Sequence, residues 1–379
     1  MSQFENMFAH VKNNDNFEEN ARLMQYAGNM LKHTQKLSAS ESDYIRNFTV
    51  SEMDRLIKTI PQAGSYAEKD KMFFYEDSLL MVFTLAGGKF DNVSEKQIET
   101  VKQLVTMVDK ERVLEKAVDE MFEHEKIEKV DIDKVLETVK PIKDNYQRGM
   151  LYQGLLAHKD KIKNLTDDAK HALAEYTADE TEKLLQKADK LNDTDINNLE
   201  ISADVCKYFI SDRLLKLLSI LFAKSDNCVR YYALETLLEN NASVSIEPVK
   251  ALAEDLTYAQ LTHDILNKFG KVDLFPKELS TPEYLAKSDL AHWLTYPTEL
   301  GKLPNEIELL GSIKIKKEQY YVFKYKSDSD NLSEENVNEW LIGWSGENGN
   351  TFSNFDRLAE YEKKTVQKTI KNIAKKLLK

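Results

Sequence analysis

Apolar residues recur at spacings of three and four from the start of the chain to about residue 290. This spacing marks one face of an α-helix, and short breaks separate one such segment from the next. Two clear examples are 97–108 and 111–122, with apolar positions at Ile98, Val101, Leu104, Val105, Val108, Val113, Leu114, Ala117, Met121 and Phe122. The pattern predicts a succession of amphipathic helices.

Helix boundaries are also marked in this part of the chain. Segments 51–54, 94–97 and 257–260 each place a hydroxyl three residues before an acid or amide side chain. Because that arrangement satisfies free amide hydrogens in a first helical turn, each segment predicts a helix N-terminus. Gly270 predicts a helix C-terminus, since glycine readily takes the left-handed conformation that ends many helices.

Two segments of the helical part are similar to each other. When 144–173 is aligned with 226–255, the pair Asp-Asn stands at the start of both, and arginine stands four positions later in both. The offset of 82 residues holds two units of about 41 residues, and helical-hairpin repeats of the HEAT kind are ~40–47 residues long. The similarity predicts a repeat, although two unrelated amphipathic helices can also resemble each other in this way.

The second of these segments carries the stronger pattern, in the stretch SDNCVRYYALETLLENN at 225–241. Asp226 stands where a side chain can cap a helix, and Val229, Ala233 and Leu237 fall on one face. Arg230 lies beside this apolar stripe, where it can reach an acid on a following unit. An ordinary amphipathic helix is the alternative interpretation.

This Asp-x-x-Val-Arg pattern followed by Ala and Leu resembles part of a HEAT repeat. The resemblance implies that the Asp and the Arg are structural and link successive units by hydrogen bonds. The earlier segment keeps Asp144 and Arg148 but departs at two packing positions, with Gln147 in place of Val and Leu151 in place of the small Ala. The resemblance therefore covers one unit well, a second in part, and the rest of the helical region by inference.

The pattern changes near residue 290 to alternation of period two, which predicts β-strands. Ile307, Leu309, Gly311, Ile313 and Ile315 are expected on one side of a strand. The same holds for Tyr321, Phe323 and Tyr325 in a second strand, and for Trp340, Ile342 and Trp344 in a third. Asn348-Gly349 predicts a hairpin turn, and an amphipathic helix ends the chain.

The fold class predicted is mostly α, with a HEAT-like helical-hairpin solenoid followed by a small α+β module. Three regions are expected: an N-terminal helical region at 1–140, HEAT-like repeats at 141–289, and the α+β module at 290–379. In that module an antiparallel meander is backed on one face by the last helix. Its other face is left to solvent, to the helical array or to a partner.

Composition agrees with a helical globular chain. The 379 residues are 42% hydrophobic and 31% charged, with only 12 glycines and 7 prolines. The most apolar run, 79–86, is far shorter than the ~20 residues of a membrane span, so it predicts a buried helix and no membrane association. The two cysteines form no disulfide framework, and the chain start lacks the pattern of a signal peptide, so a cytoplasmic location is expected.

Charge disfavours a nucleic-acid partner, because the net charge of −12 repels phosphates. The charge is uneven, however: from 356 to 379 there are eight basic and three acidic residues. The lysines of this last helix, including Lys368, Lys371 and Lys375, can bind a polyanion or form an ordinary solvated face whose cations suit a helix C-terminus.

Catalytic motifs are incomplete. Segment 343–346, Gly-Trp-Ser-Gly, begins like the nucleophile elbow of a hydrolase, but Glu347 replaces the last glycine and no histidine follows His292. His124 and Glu128 are spaced like zinc ligands on a helix, but the second histidine is missing. No catalytic residue, cofactor or metal is therefore predicted.

Candidate partner-binding residues are the aromatic residues of the C-terminal module and the lysines of its last helix. They are Trp293, Tyr321, Phe323, Trp340, Trp344, Lys368, Lys371 and Lys375. Aromatic side chains are enriched at recognition surfaces, and core packing of the small module is the alternative use.

The functional hypothesis is a non-enzymatic scaffold that binds a protein or peptide partner on its helical surface. One alternative is a nucleic-acid-binding HEAT-like protein that uses the basic last helix. Another is an enzyme whose site is assembled from distant residues and is invisible in the sequence. The oligomeric state is left open.

Overall fold

A computed structural model of the chain describes residues 3–34, 37–87, 93–187, 190–315, 317–346, 350–363 and 365–377. The fold is mostly α, with a small four-stranded antiparallel sheet near the C-terminus, as the sequence predicts. The chain divides into two compact units. The first consists of Met1–Leu173 with Leu191–Asn198, and the second of Ala174–Lys190 with Leu199–Lys379.

The first unit contains eight complete helices among its described residues. They are α1 (Gln3–Lys12), α2 (Phe17–His33), α3 (Ala39–Thr59), α4 (Tyr66–Gly87), α5 (Glu95–Glu111), α6 (Val113–Met121), α7 (Lys129–Val139) and α8 (Asn145–Ala157). Helix α4 packs against α2 and α3, and α3 also packs against α5. The predicted apolar run at 79–86 lies in α4, where Leu79, Val82 and Phe83 are buried in the core of this unit.

Two of the three predicted helix starts are confirmed, at α5 and at α14, which begins at Ala259, and the third is wrong. Ser94 and Gln97 form a reciprocal capping box at the start of α5. Ser51 instead lies inside the long helix α3, whose capping box is formed earlier, by Ser38 and Glu41. The first turn near Thr257 is satisfied from another helix, since the Gln260 amide donates to the Ser288 hydroxyl at 2.8 Å.

The helices that follow have residues in both units or in the second unit. Helices α9 (Asp167–Leu185) and α10 (Asp193–Val205) have residues in both. The second unit then contains α11 (Asp212–Lys224), α12 (Asn227–Glu239), α13 (Ile246–Glu254), α14 (Ala259–Lys268) and α15 (Pro282–Thr295). Helix α11 packs against α12, α13 against α14, and α14 against α15. Gly270 ends α14 with φ of +64°, as predicted.

The polar residues of the predicted repeat make different contacts from those expected. Asp226 is the N-cap of α12, but its side chain makes no capping hydrogen bond. Arg230 does not reach an acid on a following unit. It donates to the Phe222 carbonyl at the end of α11, at 3.0 Å, and to the Asn227 side chain at 2.5 Å. The Arg230 guanidinium therefore contacts the preceding helix α11, whose last carbonyls have no hydrogen-bond partner within that helix.

The four strands form a meander in the order β1-β2-β3-β4. They are β1 (Glu306–Ile315), β2 (Glu318–Lys326), β3 (Leu341–Gly346) and β4 (Phe352–Arg357), and the last helix is α16 (Val366–Leu377). All neighbouring strands are antiparallel. The predicted turn at Asn348-Gly349 lies outside the described residues.

Both faces of this sheet are covered, whereas the sequence predicted one covering helix. On one face Leu290 and Leu294 of α15 pack with Phe323 and Tyr325 of β2. The other face packs against α16, through residues such as Ile373. The predicted module boundary at residue 290 falls inside α15, so we call 282–377 the sheet module.

A β-bulge in β1 overturns the predicted single face of that strand. The register shifts between Leu309 and Gly311, so residues on either side of the shift point to opposite faces. Ile307 packs with the α15 face, while Ile313 packs with the α16 face. Gly311 has φ of +152°, a conformation that favours glycine.

Close helix packing in the first unit gives a stability prediction at Gly149. A Cβ at this position of α8 would overlap the Asn198 side-chain amide. Asn198 cannot move freely, because its Nδ2 donates to the Asn145 carbonyl at 2.8 Å. We expect Gly149→Ala to lower the free energy of unfolding by about 1–3 kcal/mol, measured by urea denaturation followed by far-UV circular dichroism.

Gly28 in α2 provides the matched control. A Cβ there would meet the terminal methyl of Met81, the end of a flexible side chain. Gly28→Ala is therefore expected to change stability by no more than about 1 kcal/mol in either direction, since alanine also favours the helix. Equal stability of Gly149→Ala and the unmodified protein would contradict the tight α8 packing.

Candidate functional site: a tyrosine cluster in the second unit

The structure buries three of the predicted partner-binding residues. Tyr321 and Phe323 are buried in the core beneath α15, and Trp344 is buried beneath α16, where its exposed fraction is 3%. In this fold they stabilise the sheet module, and Tyr321 also lines a cavity between α14, α15 and the sheet. The physical reason is the second covering helix α15, which removes the face that the sequence left open.

The remaining predicted site residues are scattered. Trp293 is partly exposed at the end of α15, and Trp340 is partly exposed before β3 with the ammonium groups of Lys324 and Lys326 at 3.8 and 4.6 Å from the centre of its ring. Three lysines of α16 are exposed, namely Lys368, Lys371 and Lys375. Within the described residues, no contact joins them into one site.

A different group of aromatic residues does come together in the second unit. Tyr231 and Tyr232 of α12 have ring centres 5.0 Å apart, and Tyr258 lies 5.8 Å from Tyr231. All three side chains are partly exposed. We call these three residues the tyrosine cluster.

Local hydrogen bonds fix the positions of these tyrosines. Asn227, at the start of α12, donates from its side chain to the Asp255 carboxylate at 2.8 Å. Asp255 also accepts from the Thr257 amide through its side chain and from the Tyr258 amide through its carbonyl, each at 2.9 Å. The chain segment that carries Tyr258 is therefore tied to the helix that carries the other two tyrosines.

The hydroxyl groups of the tyrosine cluster have no hydrogen-bond partner within the part of the chain that the structure describes. Four other tyrosines behave differently, since their hydroxyls donate to carboxylates or a carbonyl at 2.7–3.0 Å; they are Tyr66, Tyr75, Tyr146 and Tyr284. Buried polar groups are normally paired inside the protein. The free hydroxyls of the cluster are thus available to another molecule.

The acids beside the cluster differ in whether they are paired. Asp204 of α10 accepts from the Lys207 ammonium at 2.6 Å, and Lys207 also donates to Glu235 at 3.1 Å. Glu200 is only partly exposed, and across the described ranges its carboxylate makes no ion pair. Burial, followed by the negative charge of Asp204, raises the pKa of the Glu200 carboxyl.

The same negative charges act on the hydroxyl groups of the tyrosine cluster. Burial, followed by the charges of Glu200 and Asp204, raises the pKa of the Tyr232 hydroxyl to about 12. Burial is also the largest cause that raises the pKa of Tyr258, and the negative charge of Glu200 adds to it. Burial also raises the pKa of the Tyr231 hydroxyl. The three phenols therefore remain neutral hydrogen-bond donors near neutral pH, and Tyr232 and Tyr258 lie within range of the Glu200 charge.

This arrangement is suited to a positively charged group. Aromatic faces attract ammonium and guanidinium groups, and an unpaired carboxylate supplies the counter-charge. A cation that pairs with Glu200 would also relieve the cost of keeping that carboxylate partly buried.

Sequence reasoning missed the tyrosine cluster, although part of its signal was visible. Tyr231 and Tyr232 stand next to each other in the repeat-like stretch, outside the stripe formed by Val229, Ala233 and Leu237. Two adjacent tyrosines off the buried stripe favour a surface role. The contribution of Tyr258 could not be seen, because it depends on the packing of a later segment.

Metal and disulfide chemistry have little support at this site. Among the residues that the structure describes, no group of three or more His, Cys, Asp and Glu side chains could hold a metal ion. Both cysteines are free; Cys206 is buried and Cys228 is partly exposed.

In the same described ranges no helix has the length and apolar character needed to cross a lipid bilayer.

Comparison of the chain with models of protein families, with curated proteins and with solved structures finds no match. The resemblance to HEAT repeats therefore stays a prediction from the sequence.

Proposed function

We propose that the protein is a non-enzymatic cytoplasmic scaffold that binds a basic segment of a protein partner through the tyrosine cluster and Glu200. The observation that carries this proposal is the partly buried Glu200 carboxylate, which makes no ion pair among the described residues and whose charge acts on Tyr232 and Tyr258 of the tyrosine cluster. A lysine or arginine side chain would pair with Glu200 and lie against the tyrosine rings.

The energetic basis is the combination of several modest contributions. Charge-assisted hydrogen bonds contribute about 1.5–3 kcal/mol each, and a cation over an aromatic ring contributes about 0.5–2 kcal/mol. The net charge of −12 adds long-range attraction for a basic partner and increases the rate of association. The affinity should therefore fall as salt concentration rises.

We further propose that the helices carrying this surface are a HEAT-like array. Support comes from two side-chain links whose donor asparagines align in the sequence, although their acceptors do not. Asn145 donates to Asp195 at 2.7 Å, and Asn227 donates to Asp255 at 2.8 Å. In each case the asparagine that follows the N-cap aspartate ties the start of its helix to a later segment.

The proposal is tested with short synthetic peptides rich in Lys and Arg, labelled with a fluorophore and titrated with the protein. We expect saturable binding that weakens between about 50 and 300 mM salt, because screening shortens the range of the attraction. We expect Glu200→Gln to raise the dissociation constant about tenfold or more, since a cation would lose its charged partner.

Glu247→Gln is the matched control, because Glu247 is an exposed acid on α13 and the substitution removes the same charge. It should leave the dissociation constant within about twofold, an energy change below roughly 0.5 kcal/mol. Equal weakening by the two substitutions would show that only the overall charge matters. That result, or binding that does not depend on salt concentration, would contradict the proposal.

A further inference from the structure

A cavity of about 470 Å³ lies in the second unit, between helices α14 and α15 and the sheet. Its size falls in the range of about 300–1,000 Å³ that is typical of small-molecule sites. The tyrosine cluster contributes no residue to its lining. The cavity is therefore a separate candidate site.

Asp289 of α15 is the best-positioned polar group in this cavity. Its carboxylate accepts a hydrogen bond from the Ser345 hydroxyl at 2.7 Å and another from the Thr351 hydroxyl. A carboxylate offers about four acceptor positions, so two bonds leave room for a ligand donor. Among the described residues Asp289 forms no ion pair.

Ser345 is the serine of the incomplete nucleophile motif, and the structure gives it a different role. It lies on β3, with an exposed fraction of 1%, and its hydroxyl donates to Asp289. In a hydrolase triad a histidine accepts the serine proton and a carboxylate orients that histidine, whereas Ser345 donates directly to the Asp289 carboxylate. Ser345 thus holds the Asp289 carboxylate in place.

A second carboxylate reaches the cavity from the neighbouring helix. Asp264 of α14 is exposed, and both of its oxygens lie 3.0 Å from the Gln260 side-chain nitrogen. His263 also lines the cavity, with its ring edge-on to Phe275 at 5.1 Å and its Nε2 3.3 Å from the Ser280 hydroxyl. The polar groups on this side are thus held in fixed positions.

The rest of the described lining is mostly apolar. Pro282, Leu285 and Ala286 of α15 form an apolar wall, Tyr321 and Gly346 of the sheet complete the lining, and no lysine or arginine is among these residues. Such a lining disfavours phosphates and carboxylates, because they would meet two acids without a counter-charge. It favours a ligand with positive charge and an aliphatic body.

We propose that this cavity binds a small aliphatic diamine, with one ammonium group on Asp289, the other on Asp264, and the methylene chain against Leu285 and Ala286. Two acids on different helices, with apolar wall among them, match two cations joined by a short apolar chain. Each ammonium group donates to a carboxylate that other side chains already orient, so little ordering is needed on binding.

The test is isothermal titration calorimetry of the full chain with putrescine, cadaverine and butylamine as probes. The expected result is binding of at least one diamine about tenfold or more tighter than butylamine, which carries a single ammonium group. Asp289→Asn should weaken the diamine about tenfold or more. Asn keeps an oxygen that can accept from Ser345 and Thr351, so the substitution removes the charge with little change in shape.

Asp264→Asn supplies a second, safer variant, because Asp264 is exposed and its loss does not threaten the fold. It should reduce the affinity for the diamine to that for butylamine while leaving butylamine binding unchanged. Asp273→Asn, at an exposed acid outside the cavity lining, is the matched control and should alter neither affinity. Failure of both diamines to bind the unmodified chain, or equal affinities in all three variants, would overturn the proposal.

Discussion

Replacing Phe323 with alanine is expected to lower the free energy of unfolding of the sheet module by about 3–5 kcal/mol. The ring is fully buried beneath α15, in a cluster that includes Leu290 and Leu341. Gly343, which pairs with Phe323 on the neighbouring strand, lies so close to α15 that a Cβ there would come within 2.8 Å of a Leu290 methyl. Packing of this density leaves little room for the module to close around a cavity, so the loss should be near the upper end for such substitutions.

Intrinsic tryptophan fluorescence is the natural measurement, because all three tryptophans of the chain lie in the sheet module. Urea unfolding followed by this signal reports on the module directly. Phe352→Ala is the matched control, since Phe352 lies on β4 of the same sheet and is 43% exposed. It should cost about 1 kcal/mol or less. Equal stability of Phe323→Ala and Phe352→Ala would show that the Phe323 ring does not stabilise the core. The sequence prediction of Phe323 as a partner-binding residue would then be favoured.

The sequence predicted the elements of the sheet module better than their packing. The alternation of Tyr321, Phe323 and Tyr325 correctly placed these three side chains on one face. What no strand pattern could reveal is which helix covers that face. Helix α15 has an apolar stripe like the helices before it, so its sequence pattern gave no reason to assign it to the sheet.

The bulge in β1 shows a second limit of pattern reading. A single extra residue at Leu309–Gly311 moves every later side chain to the other face, and the apolar residues on both sides of it look continuous in sequence. Gly311 was a visible signal, because glycine inside a strand often marks a bulge. It could have been interpreted so, but the regular spacing of the isoleucines favoured an unbroken strand.

The candidate site was harder to predict than the fold, for a physical reason. Helical stripes are local, and Leu104 and Val108 of α5 are buried as their spacing predicts. The tyrosine cluster joins two residues of α12 with one from the turn before α14. Glu200 stands out only because its carboxylate has no cationic partner among the described residues. Neither long-range contacts nor the absence of a partner leaves a pattern in neighbouring residues. Counting aromatic residues drew attention instead to those that fill the core of the sheet module.

The first unit contains a buried carboxyl group whose titration should dominate the pH dependence of its stability. Glu76 of α4 is only 3% exposed. Burial, followed by a hydrogen bond with the neighbouring Asp77 carboxyl and the charge of Asp77, raises the pKa of Glu76 from 4.5 to about 8. Arg112 acts in the opposite direction without cancelling these effects.

A raised pKa means that the folded chain binds a proton that the unfolded chain releases. The stabilisation is therefore complete below about pH 4.5 and is lost progressively as pH rises through about 8. Glu76→Gln has no proton to lose, so it should gain stability relative to the unmodified protein across this window. The full shift corresponds to about 1.4 kcal/mol per pH unit. We expect a total gain of about 2–4 kcal/mol, since solvent screens the exposed Asp77 charge.

Urea denaturation of both proteins at a series of pH values, followed by circular dichroism, measures this difference while other titrating groups cancel. Asp77→Asn is the informative companion, because it removes a charge that raises the pKa of Glu76 and spares the buried side chain. In that variant the loss of stability should be complete at a lower pH than in the unmodified protein. A stability difference between Glu76→Gln and the unmodified protein that stays constant from pH 5 to pH 9 would mean that Glu76 is already ionised in the fold at pH 5, compensated by Arg112 or by water.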